Sequence, residues 1–125
     1  MYKLISFLMI LVSSVSIAQS NNNRDEKYYF YPFDKNIVKE ANKILAAEKG
    51  PRAMMVRSSI NGPELIYVSE FNSKVEGVTF NIQNCLIATA LRNSQGYKSK
   101  YYCIFRVKGG PEVARALISD AYHVY

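Results

Sequence analysis

One segment in the first half of the chain has limits so clear that it restricts the possible folds. Asp34 is a favourable helix N-cap, Gly50 stands where a left-handed residue often ends a helix, and Pro51 blocks its continuation. Between them, apolar residues recur at helical spacing on one stripe, namely Ile37, Val38, Ala41, Ile44 and Leu45. Because a helix with a single apolar stripe must bury it against another element, we predict a helix over 34–49 that lies on a β-sheet.

Extended segments lie on both sides of this helix. Five aromatic rings fall within residues 28–33, which favours a strand, and the proline in that segment is typical of a sheet edge. Segments 53–60 and 64–71 also have strand character. They flank Asn61 and Gly62, a pair typical of a hairpin turn because both residues tolerate positive φ. The proline after this pair leaves open the alternative of a bulge in one long strand.

The second half of the chain contains two ambiguous segments. Val78, Phe80 and Ile82 alternate with polar residues, which predicts a strand, and 85–91 fits either a continued strand or a short helix. Residues 112–122 have apolar residues at helical spacing behind a proline suited to a first helical turn. We predict a C-terminal helix there, with a last strand as the alternative.

The two cysteines bear on the first ambiguity. Residues 97–108 predict a strand, and a hairpin centred on Ser94 would place Cys85 directly opposite Cys103. Directly opposed side chains are within reach of a disulfide after modest relaxation. We therefore predict a strand through 85–91 and a Cys85–Cys103 disulfide, with two buried free thiols as the alternative. The expected fold class is α+β, in which one helix packs on a four- to five-stranded antiparallel sheet and a C-terminal helix follows.

The N-terminus has the organisation of a secretory signal. A positive charge at Lys3 precedes an apolar run over 4–12 and then small residues. The run is too short for a transmembrane helix, which needs about 20 apolar residues. We predict a cleaved signal peptide over 1–18, a flexible arm over 19–27 and one domain over 28–125. The product would be a secreted or periplasmic protein with no membrane anchor, a compartment in which disulfides persist.

The chain carries a formal net charge of +6 at pH 7. Its only local concentration of positive charge comprises Lys98, Lys100, Arg106 and Lys108. Such a group either steers an acidic partner or forms the solvated face of a strand. No basic recognition helix or RNA-binding aromatic motif is present, so we expect no nucleic-acid partner.

The sequence does not contain a recognisable set of catalytic residues. The single histidine, His123, lies in the predicted C-terminal helix, far along the chain from any plausible nucleophile. Cys–His catalysis would need a free, activated cysteine, which conflicts with the predicted disulfide. One histidine and two cysteines cannot supply the usual four zinc ligands, and no phosphate-binding glycine-rich loop occurs. We therefore expect no enzymatic activity, no metal and no cofactor.

Two short stretches resemble a known family. The loop 73–77, with the sequence Ser73-Lys74-Val75-Glu76-Gly77, resembles the Gln-x-Val-x-Gly loop that precedes the third strand of the cystatin superfamily. The segment 101–107 resembles the cysteine-bearing strand of the same superfamily. The order of the predicted elements from residue 28 to residue 111 is also similar. This chain departs from the family in having serine where the loop has glutamine, and in having no tryptophan.

The resemblance implies a cystatin-like fold and inhibition of papain-like cysteine proteases. In such a mechanism the N-terminal arm, the 73–77 loop and a second loop fill the protease cleft without any chemistry. The second loop would consist of Gly109, Gly110 and Pro111. The departures lead us to expect weak inhibition. The alternative is an exported interaction or immunity protein that binds another exported protein. A carrier of apolar small molecules is a third hypothesis, although an ordinary hydrophobic core explains the same aromatic residues.

Overall fold

The structure, a computed structural model, describes residues 26–124, with side-chain placements through Ala121. The predicted signal peptide over 1–18 and residues 19–25 of the predicted arm lie outside the described residues. Glu26 and Lys27, the last residues of the predicted arm, instead begin the first strand.

The described chain forms one sheet and three α-helices. In chain order the elements are β1 (Glu26–Tyr31), α1 (Val38–Ala47), β2 (Ala53–Ser58), β3 (Leu65–Glu70), α2 (Val78–Asn93), β4 (Tyr101–Lys108) and α3 (Pro111–Val124). One 3₁₀ turn, Lys35–Ile37, leads into α1. The strands lie in the order β1-β4-β2-β3, and every neighbouring pair is antiparallel. The predicted α+β class is confirmed, with four strands in one antiparallel sheet.

Helices cover both faces of this sheet. On one face α1 packs on a cluster that includes Phe30, Met54 and Ile104. On the other face α2 and α3 pack against each other and on a cluster that includes Cys103 and Phe105. Because successive residues of a strand point to opposite faces, the central strand β4 supplies core residues to both clusters. The prediction of a single helix on the sheet is therefore wrong, since a second helix, α2, also packs on it. The predicted C-terminal helix is confirmed.

Helix α1 forms for the reasons visible in the sequence. The Asp34 side chain accepts a hydrogen bond from the backbone N–H of Asn36 at 2.9 Å, which caps the 3₁₀ turn before the helix. Beyond its other end, Gly50 has a φ of +65°, and its N–H donates to the carbonyl of Leu45 at 2.8 Å. Ile37, Ala41 and Leu45 are buried against the sheet as predicted.

The predicted hairpin is also confirmed, but its turn differs from the expectation. Strands β2 and β3 pair antiparallel, and the N–H of Ser59 donates to the carbonyl of Glu64 at 2.9 Å. Neither Asn61 nor Gly62 has a positive φ. A connection this long does not need the positive φ angles of a two-residue turn. A register shift between Met55 and Val56 places a bulge inside the hairpin.

The strand predictions for Val78–Ile82 and for 85–91 are wrong, because both segments belong to helix α2. The apolar alternation of Val78, Phe80 and Ile82 is short, and its first two members are exposed rather than in the core. From Ile82 onward the buried positions follow helical spacing, namely Ile82, Cys85, Leu86 and Thr89. The longer pattern with period 3.6 therefore decides the conformation.

The predicted disulfide is confirmed, although the geometry used to predict it is not. Cys85 and Cys103 are bonded with a Cα–Cα distance of 5.8 Å, and neither side chain is exposed. The bond joins α2 to β4 rather than two paired strands. The disulfide therefore fixes α2 to the central strand β4.

Candidate functional site

The two loops predicted to bind a partner lie at one end of the sheet. Strands β3 and β4 both run antiparallel to β2, so they point in the same direction. The segments that follow them, 71–77 and 109–111, therefore leave the sheet at the same end. Each leads into a helix, α2 or α3, and both helices lie on the same face. We call residues 71–77 and 109–111 the glycine end.

Hydrogen bonds from a buried asparagine fix the first of these loops. The N–H of Ser73 donates to Asn81 Oδ1, and Asn81 Nδ2 donates to the carbonyl of Ser73, both at 3.0 Å. Within the loop the hydroxyl of Ser73 accepts a hydrogen bond from the N–H of Glu76 at 3.2 Å. Asn81 lies in the first turn of α2 and is buried. The side chain of Asn81 on α2 therefore fixes the conformation of the loop.

The loop presents apolar side chains to solvent. Residues 72–80 are all exposed, and Val75 at the tip has 90% of its surface accessible. Val78 and Phe80, in the first turn of α2, are exposed to 45% and 42%. The two charged residues beside the tip, Lys74 and Glu76, have opposite signs. The surface is thus apolar at its centre and close to neutral.

Gly77 separates this loop from α2 and leaves its backbone accessible. Its φ is +93°, a conformation that favours glycine. A Cβ built on Gly77 would have no atom within 4 Å, so a partner can approach the main chain there. Gly77 is also the N-cap of α2, and no side chain caps this helix end.

The second loop turns tightly from β4 into α3. Gly109 and Gly110 have φ angles of +104° and +89°. A Cβ on Gly109 would lie 2.6 Å from Cγ2 of Val113, so only glycine allows this close approach. The carbonyl of Gly110 accepts hydrogen bonds from the N–H groups of Val113 (3.2 Å) and Ala114 (3.3 Å). Pro111 is the first residue of α3, which suits its missing N–H.

The structure brings the two loops to one end of the sheet without joining them. Strand β2 lies between β3 and β4, so the two strand ends are separated by about 10 Å at the usual strand spacing. No hydrogen bond or ion pair links 73–77 to 109–111 in the described part of the chain. The Val75–Gly77 motif also precedes a helix, whereas the resemblance implies that it precedes a strand.

Two contributors to this end of the molecule were missed in the sequence. The role of Asn81 was not predicted, because its segment alternates like a strand. Only its place in the first turn of a helix indicates that it can bond the preceding loop. Glu26 was assigned to the flexible arm, yet it is buried and its carboxylate pairs with Arg52 (3.0 Å) and Arg106 (3.2 Å). Arg106 therefore pairs with a carboxylate that it shares with Arg52, whereas the charge pattern places it in one group with Lys98.

Comparisons with known proteins identify no relative. No protein-family model matches the chain, and no curated protein or solved structure is significantly similar to it. Within residues 26–124 no group of three or more His, Cys, Asp or Glu side chains could hold a metal ion. No helix of the described chain is long and apolar enough to cross a bilayer. The side chain of His123 lies outside those the structure describes.

Proposed function

We propose that this chain is an exported binding protein without catalytic activity, and that its glycine end contacts another exported protein. The observation that supports this best is Val75, an apolar residue with 90% of its surface exposed at the tip of a loop that Asn81 holds in place. A fixed loop has already lost most of its conformational entropy, so binding does not have to supply that ordering.

The surroundings of Val75 support a contact surface rather than an isolated exposed residue. Single apolar residues on a surface are common and need no explanation. Here, however, Val78 and Phe80 continue the apolar surface into the first turn of α2, and Val113 in α3 is exposed to 38%. Loops on a rigid scaffold are frequent recognition sites. The disulfide is consistent with an exported protein, because such bonds persist outside the cytosol.

Inhibition of papain-like cysteine proteases is the narrower candidate. The exposed Val75 and the open backbone at Gly77 favour it, because both features suit insertion into a cleft. Its loop geometry is less favourable, since 73–77 leads into α2 and 109–111 leads into α3. In the protease-inhibition mechanism the 73–77 loop precedes a strand, whereas here both loops precede helices. We therefore rank general binding of an exported protein above protease inhibition.

Affinity capture tests the general proposal. The exported protein, immobilised, would be compared with Val75→Asp and with Ile60→Asp, which also places a charge on an exposed apolar residue but in the β2–β3 connection. We expect one or more exported proteins to be retained by wild type and Ile60→Asp and lost with Val75→Asp. All three should melt within a few degrees of one another, since both sites are exposed. Equal retention of every captured protein by all three would contradict the proposal.

Inhibition assays test the narrower candidate separately. The wild-type protein would be titrated against several papain-like proteases, with Val75→Asp as the matched variant. We expect weak inhibition at most, and any inhibition that occurs should disappear with Val75→Asp. Full protease activity at saturating protein would exclude protease inhibition and leave the general binding proposal standing.

A further inference from the structure

The opposite end of the sheet has a different chemistry. Three elements meet there, namely the end of β2, the end of α2 and the segment before β4. They bring together Arg57, Arg92, Tyr97, Lys98 and Lys100, which we call the cationic end. All five are at least partly accessible, and Tyr97 has 54% of its surface exposed.

Aromatic rings hold Arg92 at this end. Its guanidinium carbon lies 5.2 Å from the ring centroid of Tyr101 and 6.0 Å from that of Tyr97. Its Nη1 also donates to the hydroxyl of Tyr101 at 3.3 Å. The two rings are themselves in contact, with centroids 6.0 Å apart. Such packing orders the guanidinium while several of its N–H donors remain available to a ligand.

Hydrogen bonds also position Arg57 and Lys100 at the cationic end. Arg57 Nη1 donates to the hydroxyl of Ser99 at 3.2 Å. The N–H of Lys100 donates to the hydroxyl of Ser58 at 2.9 Å, and the N–H of Ser58 donates to the carbonyl of Lys100 at 2.8 Å. The positions of the Arg57 guanidinium and of the Lys100 backbone are therefore set by the fold.

Among the residues with described side chains, none of the cations Arg57, Arg92, Lys98 and Lys100 forms an ion pair with a carboxylate. The ion pairs among the residues with described side chains are Lys43–Glu40, Arg52–Glu26 and Arg106–Glu26. The nearby carboxylate of Asp34 caps the 3₁₀ turn and accepts a hydrogen bond from Tyr102. The four cations therefore lack the direct carboxylate contact that Arg52 and Arg106, at the other end of the sheet, share through Glu26.

We propose that the cationic end binds an acidic segment of a partner protein, as a second interaction surface independent of the glycine end. Ordered arginine and tyrosine side chains are enriched at the centres of protein interfaces. Clustered unpaired charge accelerates association with a surface of opposite sign. Single-stranded nucleic acid is a poorer fit, because stacking needs several exposed rings, and Tyr101 and Tyr102 are both buried.

Fluorescence anisotropy with a labelled glutamate decapeptide tests this proposal on the exported protein. The variant Lys98→Glu/Lys100→Glu would be compared with Lys27→Glu/Lys39→Glu, which changes the net charge equally at exposed positions on β1 and α1. We expect the first variant to weaken binding about tenfold or more and the control to weaken it about threefold at most. Arg92→Lys, which keeps the charge but loses the planar fork, should weaken binding about threefold.

Two outcomes would overturn the proposal. One is an equal loss of affinity in both double variants, which would show that net charge alone controls binding. The other is tighter binding of a thymidine decanucleotide or of phosphatidylserine vesicles than of the glutamate peptide under the same salt conditions. Amide chemical shifts would locate the bound peptide, and we expect them to change over 92–101 and not over 73–77.

Discussion

The two ends of the sheet present different side chains although one helix, α2, contacts both. At the glycine end the backbone turns through residues with positive φ, and apolar side chains are exposed. At the cationic end hydrogen bonds and ring contacts order Arg57 and Arg92, and the exposed groups include two lysines and the ring of Tyr97. The difference shows that one scaffold can hold two surfaces of unlike chemistry.

One asparagine near each end of α2 bonds the backbone of a neighbouring segment. Asn81 bonds both backbone polar groups of Ser73, which is exposed. Asn93 does the same for Tyr101, which is buried: the N–H of Tyr101 donates to Oδ1 at 2.8 Å and Nδ2 donates to its carbonyl at 2.9 Å. Strand β1 stops pairing with β4 at Cys103, so the Asn93 amide satisfies the backbone of β4 beyond that point.

The largest effect is expected from Gly109→Ala. Its Cβ would lie 2.6 Å from Val113 Cγ2, a stiff β-branched side chain, and alanine is strained at a φ of +104°. We expect a loss of about 2–4 kcal/mol in the free energy of unfolding. Gly77→Ala is the matched control, because its positive φ is similar but its surroundings are open, and it should cost about 1–2 kcal/mol. Urea denaturation would measure both, and equal losses would contradict the packing role of Gly109.

The next effect is expected at the cationic end, from Asn93→Ala. Removing the amide leaves the N–H and the carbonyl of buried Tyr101 without partners, which should cost about 2 kcal/mol. Asn93→Asp keeps the acceptor for the N–H but places an oxygen against the carbonyl of Tyr101, so it should not restore the wild-type stability. A destabilisation below that of Asn81→Ala would show that the Asn93 amide does not support β4.

Asn81→Ala should have a smaller effect on stability and a larger one on binding. The backbone groups of Ser73 are in an exposed loop and can bond water instead, so we expect a loss of about 1 kcal/mol. Release of the loop should weaken retention of any partner that depends on Val75. If a folded Asn81→Ala protein retained its partner as well as wild type does, ordering of the loop by Asn81 would not be needed for binding.

The smallest effect concerns alkaline pH at the cationic end. Burial, together with the hydrogen bond from the Tyr102 hydroxyl to Asp34 Oδ2 (3.1 Å), raises the pKa of Tyr102 to about 12. The usual tyrosine pKa is about 10. The unfolded chain therefore loses this proton first, so the stabilisation is complete below about pH 10 and is lost as the pH rises toward 12. Between about pH 9 and pH 11, wild type should lose about 1 kcal/mol more stability than Tyr102→Phe. Equal losses in urea denaturation would contradict the raised pKa.

Local signals in the sequence were sufficient for part of this fold. Asp34 and Gly50 mark the limits of the first helical segment because capping depends on neighbouring residues alone. The C-terminal helix was also predictable from local features, a proline suited to a first turn and apolar residues at helical spacing. The hairpin was predicted from Asn61 and Gly62, although neither has the positive φ that this prediction assumed. Helix α2 was not predicted, because the alternation of Val78, Phe80 and Ile82 at its start is typical of a strand. The disulfide pairing was correct because the chain has only two cysteines, not because the predicted hairpin exists.

The candidate sites needed the tertiary structure. Exposure of the 73–77 loop was predictable, but its place at the same end as 109–111 follows from the strand order. At the cationic end Arg57 donates a hydrogen bond to Ser99, and β2 pairs with β4 although the two strands are distant in sequence. Counting charges along the sequence places Lys100 and Arg106 in one group. In the structure the two residues lie toward opposite ends of β4, and Arg106 pairs with Glu26. Long-range pairing of this kind leaves no signal in a local pattern.

Site-specific photo-cross-linking tests the central claim, that the glycine end contacts a partner protein, most directly. Val75→p-benzoylphenylalanine would be compared with Tyr67→p-benzoylphenylalanine in the organism's exported fraction, since Tyr67 is exposed on β3 and belongs to neither proposed contact surface. We expect a discrete adduct at position 75 that position 67 does not give, and we expect Asn81→Ala to reduce it. The same adduct at both positions, or none at position 75, would contradict the claim.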